Sequence, residues 1–225
     1  MHVREALRAR KSVRAYLDKP VPRALIEALL DDARHAPSGA NIQPWQVAVV
    51  SGASKLRLQR ALLAAFEAGE PARMDYRYYP EHWRSPYRER RRRCGLQLYR
   101  AVGIEREDQA RRRAQWAANY RAFDAPVFMF FFLDGDMQTG AWLDYGMFLQ
   151  SLMLAAVEHG LATCVQASLA EYPDIVKRVL GYPESSVLVC GMALGYEDRA
   201  APINGYRTTR EDVHTFARFF DSNEE

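Results

Sequence analysis

Apolar positions along this chain switch period several times, and each switch marks an element. In residues 21–36, Leu25, Ile26, Leu29, Leu30 and Ala33 form an i, i+4 stripe behind Pro22, which suits a first helical turn. Residues 1–9 predict a short helix, and 54–68 a third amphipathic one carrying Leu56, Leu62, Leu63 and Phe66. Residues 45–51 predict a strand. Residues 126–133 are an unbroken apolar run, the pattern of a strand buried on both faces. Residues 138–159 form a long helix, apolar nearly all round and closed by Gly160, as expected of a central core helix or an oligomer interface. A short strand at 162–168, a helix at 173–180 between Pro173 and Gly181, and an apolar strand at 186–194 follow. Thr209 with Asp212 three residues on predicts a capped last helix over 210–220. This order predicts an α+β or α/β domain with a sheet of about four or five strands.

Residues 69–124 break the pattern. Aromatics and arginines interleave in "YRYYPEHWRSPYRERRRRCGLQLYR" and "RRRAQWAANYRAFDAP", which predict helical excursions with irregular joints. Composition adds bounds. Of 225 residues, 48% are hydrophobic, enough for a sizeable core, and the net charge of +3 is too small to argue for nucleic acid or a membrane. The start of the chain lacks an apolar signal-peptide core, and the longest apolar run is too short to span a bilayer. Cys94, Cys164 and Cys190 make no CxxC and no metal spacing, so a reduced, cytoplasmic compartment and no metal are expected. The run "RSPYRERRRR" offers a nucleic-acid-binding alternative, but Glu89 interrupts it.

The five histidines have no metal partner at i+4, and HExxH, GxSxG, GxGxxG and GxxxxGK[ST] are all missing. Three patches remain. In "RARKSVRAY", Arg10, Lys11 and Arg14 with Ser12 could bind phosphate oxygens, or could simply complement a helix C-terminus. In "APSGANIQPWQVAVVSG", an uncharged loop, Ser38 and Asn41 could hydrogen-bond a heterocycle, and Gly39 lets the backbone approach closely. In "GMALGYEDRAAPINGYRTTR", a strand end leads to Asn204 and Arg207.

Taken together and in this order, with "WLDYGMFLQSLMLAAVEHGLATCVQAS", these segments resemble the nitroreductase family of FMN-dependent oxidoreductases over nearly the whole chain. The 69–124 insert and "GLATCVQAS" are most similar to its nitroarene- and nitrobenzoate-reductase branch. The resemblance implies an α+β nitroreductase-like fold, with a mixed or antiparallel sheet of about five strands, residues 1–225 as one FMN-binding domain, and an intertwined homodimer with FMN at the subunit interface. It implies that Arg10, Ser12 and Arg207 hold the FMN phosphate with Lys11 beside them, and that Arg14 reaches the ribityl chain or ring. Pro37, Ser38, Gly39 and Asn41 would come from the partner subunit. The backbone of Val165, Gln166 and Ala167 would face the flavin N5 edge, with Gln150 and Asn204 as further contacts. Asp144 reads as a structural or interface residue. Lys11 stands where Arg is frequent in the family, and Val165 where Pro is common. The insert would shape the substrate mouth, with Tyr120 and Phe123 as substrate contacts. The implied reaction is a ping-pong, two-electron reduction of nitroaromatics or quinones by NADPH or NADH, and it names no catalytic residue. A same-fold flavoenzyme with another oxidant, such as a dehalogenase or an enone reductase, is the alternative.

Overall fold

A computed structural model of the chain describes residues 1–220. The elements are α1 (Val3–Ala9), α2 (Arg23–Ala33), β1 (Gln46–Ser51), α3 (Gly52–Glu67), α4 (Tyr87–Ala101), α5 (Gln109–Ala117), β2 (Val127–Leu133), α6 (Thr139–Glu158), β3 (Ala162–Gln166), α7 (Pro173–Leu180), β4 (Val187–Gly195) and α8 (Val213–Phe216). Short 3-10 turns cover Gly39–Asn41, Ala118–Asp124, Ala167–Ala170 and Pro202–Asn204.

The sheet order is β1-β2-β4-β3, and every pairing is antiparallel. The architecture is α+β. The four apolar segments each supply a strand, so the sheet has four strands among the described residues rather than about five. All seven residues of β2 are buried. Their period of two sends Val127, Met129, Phe131 and Leu133 into one core and Phe128, Phe130 and Phe132 into the other. The first core packs α2 and α6 on one sheet face, and the second packs α3, α7 and the Ala118–Asp124 turn on the opposite face.

The predicted last helix shrinks to the single turn of α8. Asp212, not Thr209, caps it by accepting from His214 N at 3.0 Å. Upstream, Arg210 bonds back to the carbonyls of Thr208 and Thr209. Downstream, Phe219 and Phe220 are exposed, so no apolar face within this protomer sustains a longer helix. No described helix is long and apolar enough to cross a membrane.

Two joints position the site. β3 is an edge strand, and the segment after α1 runs along it: Val13 N donates to Thr163 O at 3.0 Å, and Ser12 bridges Thr163. Just after β3, the Ala167–Ala170 turn sits directly on β4. A Cβ built on Gly191 would lie 2.5 Å from Leu169 Cδ1, so only glycine permits that approach.

Candidate active site

The basic segment leaves α1 extended and is clamped from below. Asn204 is 3% exposed, and its amide is fully used. Oδ1 accepts from Arg14 N at 2.8 Å, and Nδ2 donates to the Ala15 and Asp198 carbonyls at 2.8 Å each. Asn204, expected as a cofactor contact, is therefore a backbone clamp that fixes residues 14–15. Lys11 lines the cradle and is held there by contacts within the chain. Its Nζ pairs with Glu197 Oε1 at 2.7 Å and donates to Asn204 O at 2.5 Å.

Arg207 reaches across to α1 and donates to the carbonyls of Ala9 at 2.9 Å and Arg10 at 2.6 Å. It thereby satisfies two C-terminal carbonyls of that helix. Arg10 is half-buried beside Arg210 and Arg207, and burial followed by these like charges holds its guanidinium below the usual arginine value. Together with Ser12 and Thr208 they line a cavity of about 360 Å³ that carries no carboxylate on its walls. Three crowded guanidiniums without an acid repel one another, and an anion with several oxygens relieves that repulsion.

Arg14 is common to this cradle and to an adjoining cleft of about 290 Å³. Its guanidinium lies 5.8 Å from the centre of the Phe123 ring. The cleft wall continues through Val165, Gln166 and Ala167 to Asn119 and Glu171. Thr163 O faces outward to Val13, so the period of two puts the Val165 N–H and C=O on the same free edge of β3. Gln166 is 4% exposed. Its Nε2 donates to Asn119 O at 3.0 Å, while its buried Oε1 has no partner.

Of the insert aromatics, Tyr79, Tyr99, Trp116 and Phe123 line the cleft. Tyr120, expected as a substrate contact, does not. It is 1% exposed in the second core and reaches the cleft only through its hydroxyl, which donates to Glu171 Oε2. Two of the insert arginines are engaged within the chain: Arg90 pairs with Glu211 at 3.1 Å, and Arg91 lies 5.2 Å from the Trp83 ring centre.

The uncharged loop lies apart from both cavities. Gly39 N donates to Asp144 Oδ1 at 3.2 Å, and Ser38 Oγ accepts from Gln43 N at 3.0 Å. These bonds hold Ala40, Asn41 and Gln43 at φ of 48°, 57° and 50°. Three left-handed residues within four positions make a stiff, strained display of Pro37, Gly39 and Asn41 at the surface. Gln150, on α6, lines neither cavity. Arg210 was legible as a second arginine three residues after Arg207. Asn119 and Glu171 carry no motif and emerge only from the fold.

A polycationic cradle joined through one arginine to an aromatic-walled cleft at a sheet edge defines a binder of elongated ligands, anionic at one end and flat at the other. The chain belongs to the nitroreductase family, whose profile matches residues 7–196. It is 38% identical over 211 residues to a 4-nitrobenzoate reductase of Pseudomonas putida, covering 94% of this chain and 92% of that one. It is 33% identical to a nitrobenzene nitroreductase of Ectopseudomonas oleovorans, covering 96% and 95%. Among solved structures, the FMN- and NADPH-dependent nitroreductase NfnB of a Sphingopyxis strain superposes with a TM-score of 0.96 at 40% identity, covering 98% of this chain and all of that one. The FMN-dependent NfnB of Mycobacterium smegmatis in complex with NADPH gives 0.92 at 34%, covering 97% of each.

Proposed function

We propose that the chain is an FMN-dependent NAD(P)H oxidoreductase that reduces nitroaromatic compounds, working as a homodimer in the cytoplasm. The observation that carries this is the acid-free trio Arg10, Arg207 and Arg210 linked by Arg14 to the Val165–Ala167 edge. The donor chemistry fits FMN at both ends. The trio with Ser12 and Thr208 suits a phosphate dianion. The orphaned Gln166 Oε1 calls for an N–H, which the flavin ring system carries. Similarity to nitrobenzoate and nitrobenzene reductases supports the nitroarene as oxidant.

FMN, when bound, supplies the two-electron exchange between NAD(P)H and the nitro compound, in a ping-pong cycle. This chain's residues do the rest. Arg10, Arg207 and Arg210 neutralise the phosphate, Arg14 holds a cation in the cleft wall, and Phe123, Trp116 and Tyr79 offer faces to a flat aromatic. We read residues 1–225 as one domain with 69–124 forming the substrate mouth. The Pro37–Asn41 loop would complete a partner's site, because it is rigid and surface-exposed and lines neither cavity of its own protomer. The three unpaired thiols suit a reducing cytoplasm.

The test is the visible spectrum of the purified protein before and after anaerobic NADPH, followed by turnover with a nitroarene. Flavin bands that bleach with NADPH and return with 4-nitrobenzoate are expected. A protein that takes up no FMN contradicts the assignment.

A further inference from the structure

Glu171 is the one carboxylate among the residues lining the cleft and cradle. It sits at the end of the Ala167–Ala170 turn, with its backbone fixed at both ends. Its N donates to Ser168 O at 3.2 Å, and its carbonyl accepts from Arg73 N at 2.9 Å. The side chain is fixed too. Trp116 Nε1, which can only donate, points to the Tyr120 hydroxyl at 3.4 Å. The Tyr120 proton therefore goes to Glu171 Oε2. Any proton that Glu171 carries is directed to Oε1, which has no partner among the described residues. No Lys, Arg or His lies within ion-pair distance of Glu171 among the described residues. Burial pushes its carboxyl up from the usual carboxylate value, against the opposing effect of the Tyr120 bond. The groups facing it are Tyr120 and Trp116 from the insert, the adjacent Tyr172, the Arg73 backbone, and Arg14 as the cation of the same cleft.

We infer that Glu171 is the proton donor to the nitro oxygen, with Tyr120 positioning it. This rests on the nitroreductase reading above. Reduction of a nitro group to nitroso by NAD(P)H consumes one further proton and releases water. The two electrons and one hydrogen originate in NAD(P)H, one N–O bond breaks, and the departing oxygen leaves as water. The Glu171 Oε1–H bond breaks to supply that further proton, and the carboxylate regains one from solvent at the cleft mouth. General-acid help of this kind is commonly worth about a hundredfold or more.

Ferricyanide separates the two readings, because it accepts electrons without a proton. The flavin-loaded parent and Glu171→Gln are each assayed with NADPH against 4-nitrobenzoate and against ferricyanide, with bound flavin quantified by absorbance. Gln keeps the shape and the acceptor for Tyr120 but has no acidic proton. The expected result is a fall of about tenfold or more in the ratio of nitro to ferricyanide turnover, with flavin content retained. A ratio within twofold of the parent's, or an equal loss of both rates, overturns the proton role. If Glu171→Gln fails to hold flavin, the parent decides alone. Its ratio should fall as pH rises above the ordinary carboxylate range, where the raised Glu171 carboxyl ionises, and a flat ratio overturns the assignment. A parent that binds no FMN and reduces no ferricyanide fails the underlying reading, and this proposal with it.

Discussion

Arg207 does two jobs with one guanidinium: it closes the carbonyls at the end of α1 and lines the anion cradle. Arg207→Ala is expected to weaken FMN binding roughly ten- to a hundredfold, since a charge-assisted contact is worth ~1.5–3 kcal/mol. Equilibrium dialysis checks this, and unchanged affinity removes Arg207 from the site. Arg207→Lys keeps the charge without the fork, so only part of the affinity should return. Glu171 makes a prediction of opposite sign for stability. Its carboxyl is raised in the folded chain, so its favourable contribution is full below the unfolded carboxyl range and is lost as pH rises through the folded value. Glu171→Gln never ionises. Its melting temperature relative to the parent should therefore increase as pH rises above the ordinary carboxylate range. A difference that shrinks with pH contradicts the raised carboxyl.

At the scale of elements, the entry to the insert is tied down by one carboxylate that reaches a buried lysine. Asp75 pairs with Lys177 of α7 at 2.9 Å and accepts from Leu188 N of β4 at 2.8 Å. The Lys177 side chain is only 6% exposed. Asp75→Ala leaves that ammonium buried without its partner, a change that typically costs about 3–5 kcal/mol. Urea denaturation should show this as a shifted midpoint with little change in slope. Lys177 Nζ and Leu188 N use different oxygens of Asp75, so Asp75→Asn keeps an acceptor for only one of them, sets its NH2 against the other, and should recover only part of the loss.

The whole protomer leaves apolar surface uncovered. On α6, Leu143 is 73% exposed and Met147 39%, while Val3 and Leu7 of α1 and Phe216 of α8 are exposed as well. Surface of this kind on a well-packed chain marks an interface. Light scattering of the FMN-loaded protein should give twice the mass of the chain. Leu143→Glu should give a monomer that retains FMN poorly, because the Pro37–Asn41 loop would no longer reach a partner. A flavin-loaded monomer of normal affinity contradicts the shared site.

What the sequence determined by itself was whatever one element can encode. The apolar run at 126–133 became the fully buried β2, because a strand covered on both faces has no use for polar residues. The helix at 138–159 became α6, and the basic run before Tyr16 became the cradle wall, since its charges are adjacent in the chain. Only tertiary structure decided which polar groups are free. Asn204 looks like a ligand in a linear reading, yet the Ala15 and Asp198 carbonyls and the Arg14 N–H engage its amide and it lines neither cavity, while Lys11 keeps its place in the cradle wall with Glu197 as partner. Tyr120 looks like a cleft aromatic, yet around the left-handed φ of 47° and 54° at Ala122 and Phe123 both rings join the second core, and only Phe123 also lines the cleft. Glu171 gains its environment from Tyr120, 51 residues away. Hydrogen-bond supply and burial are properties of the packed chain, and no local pattern of residues carries them.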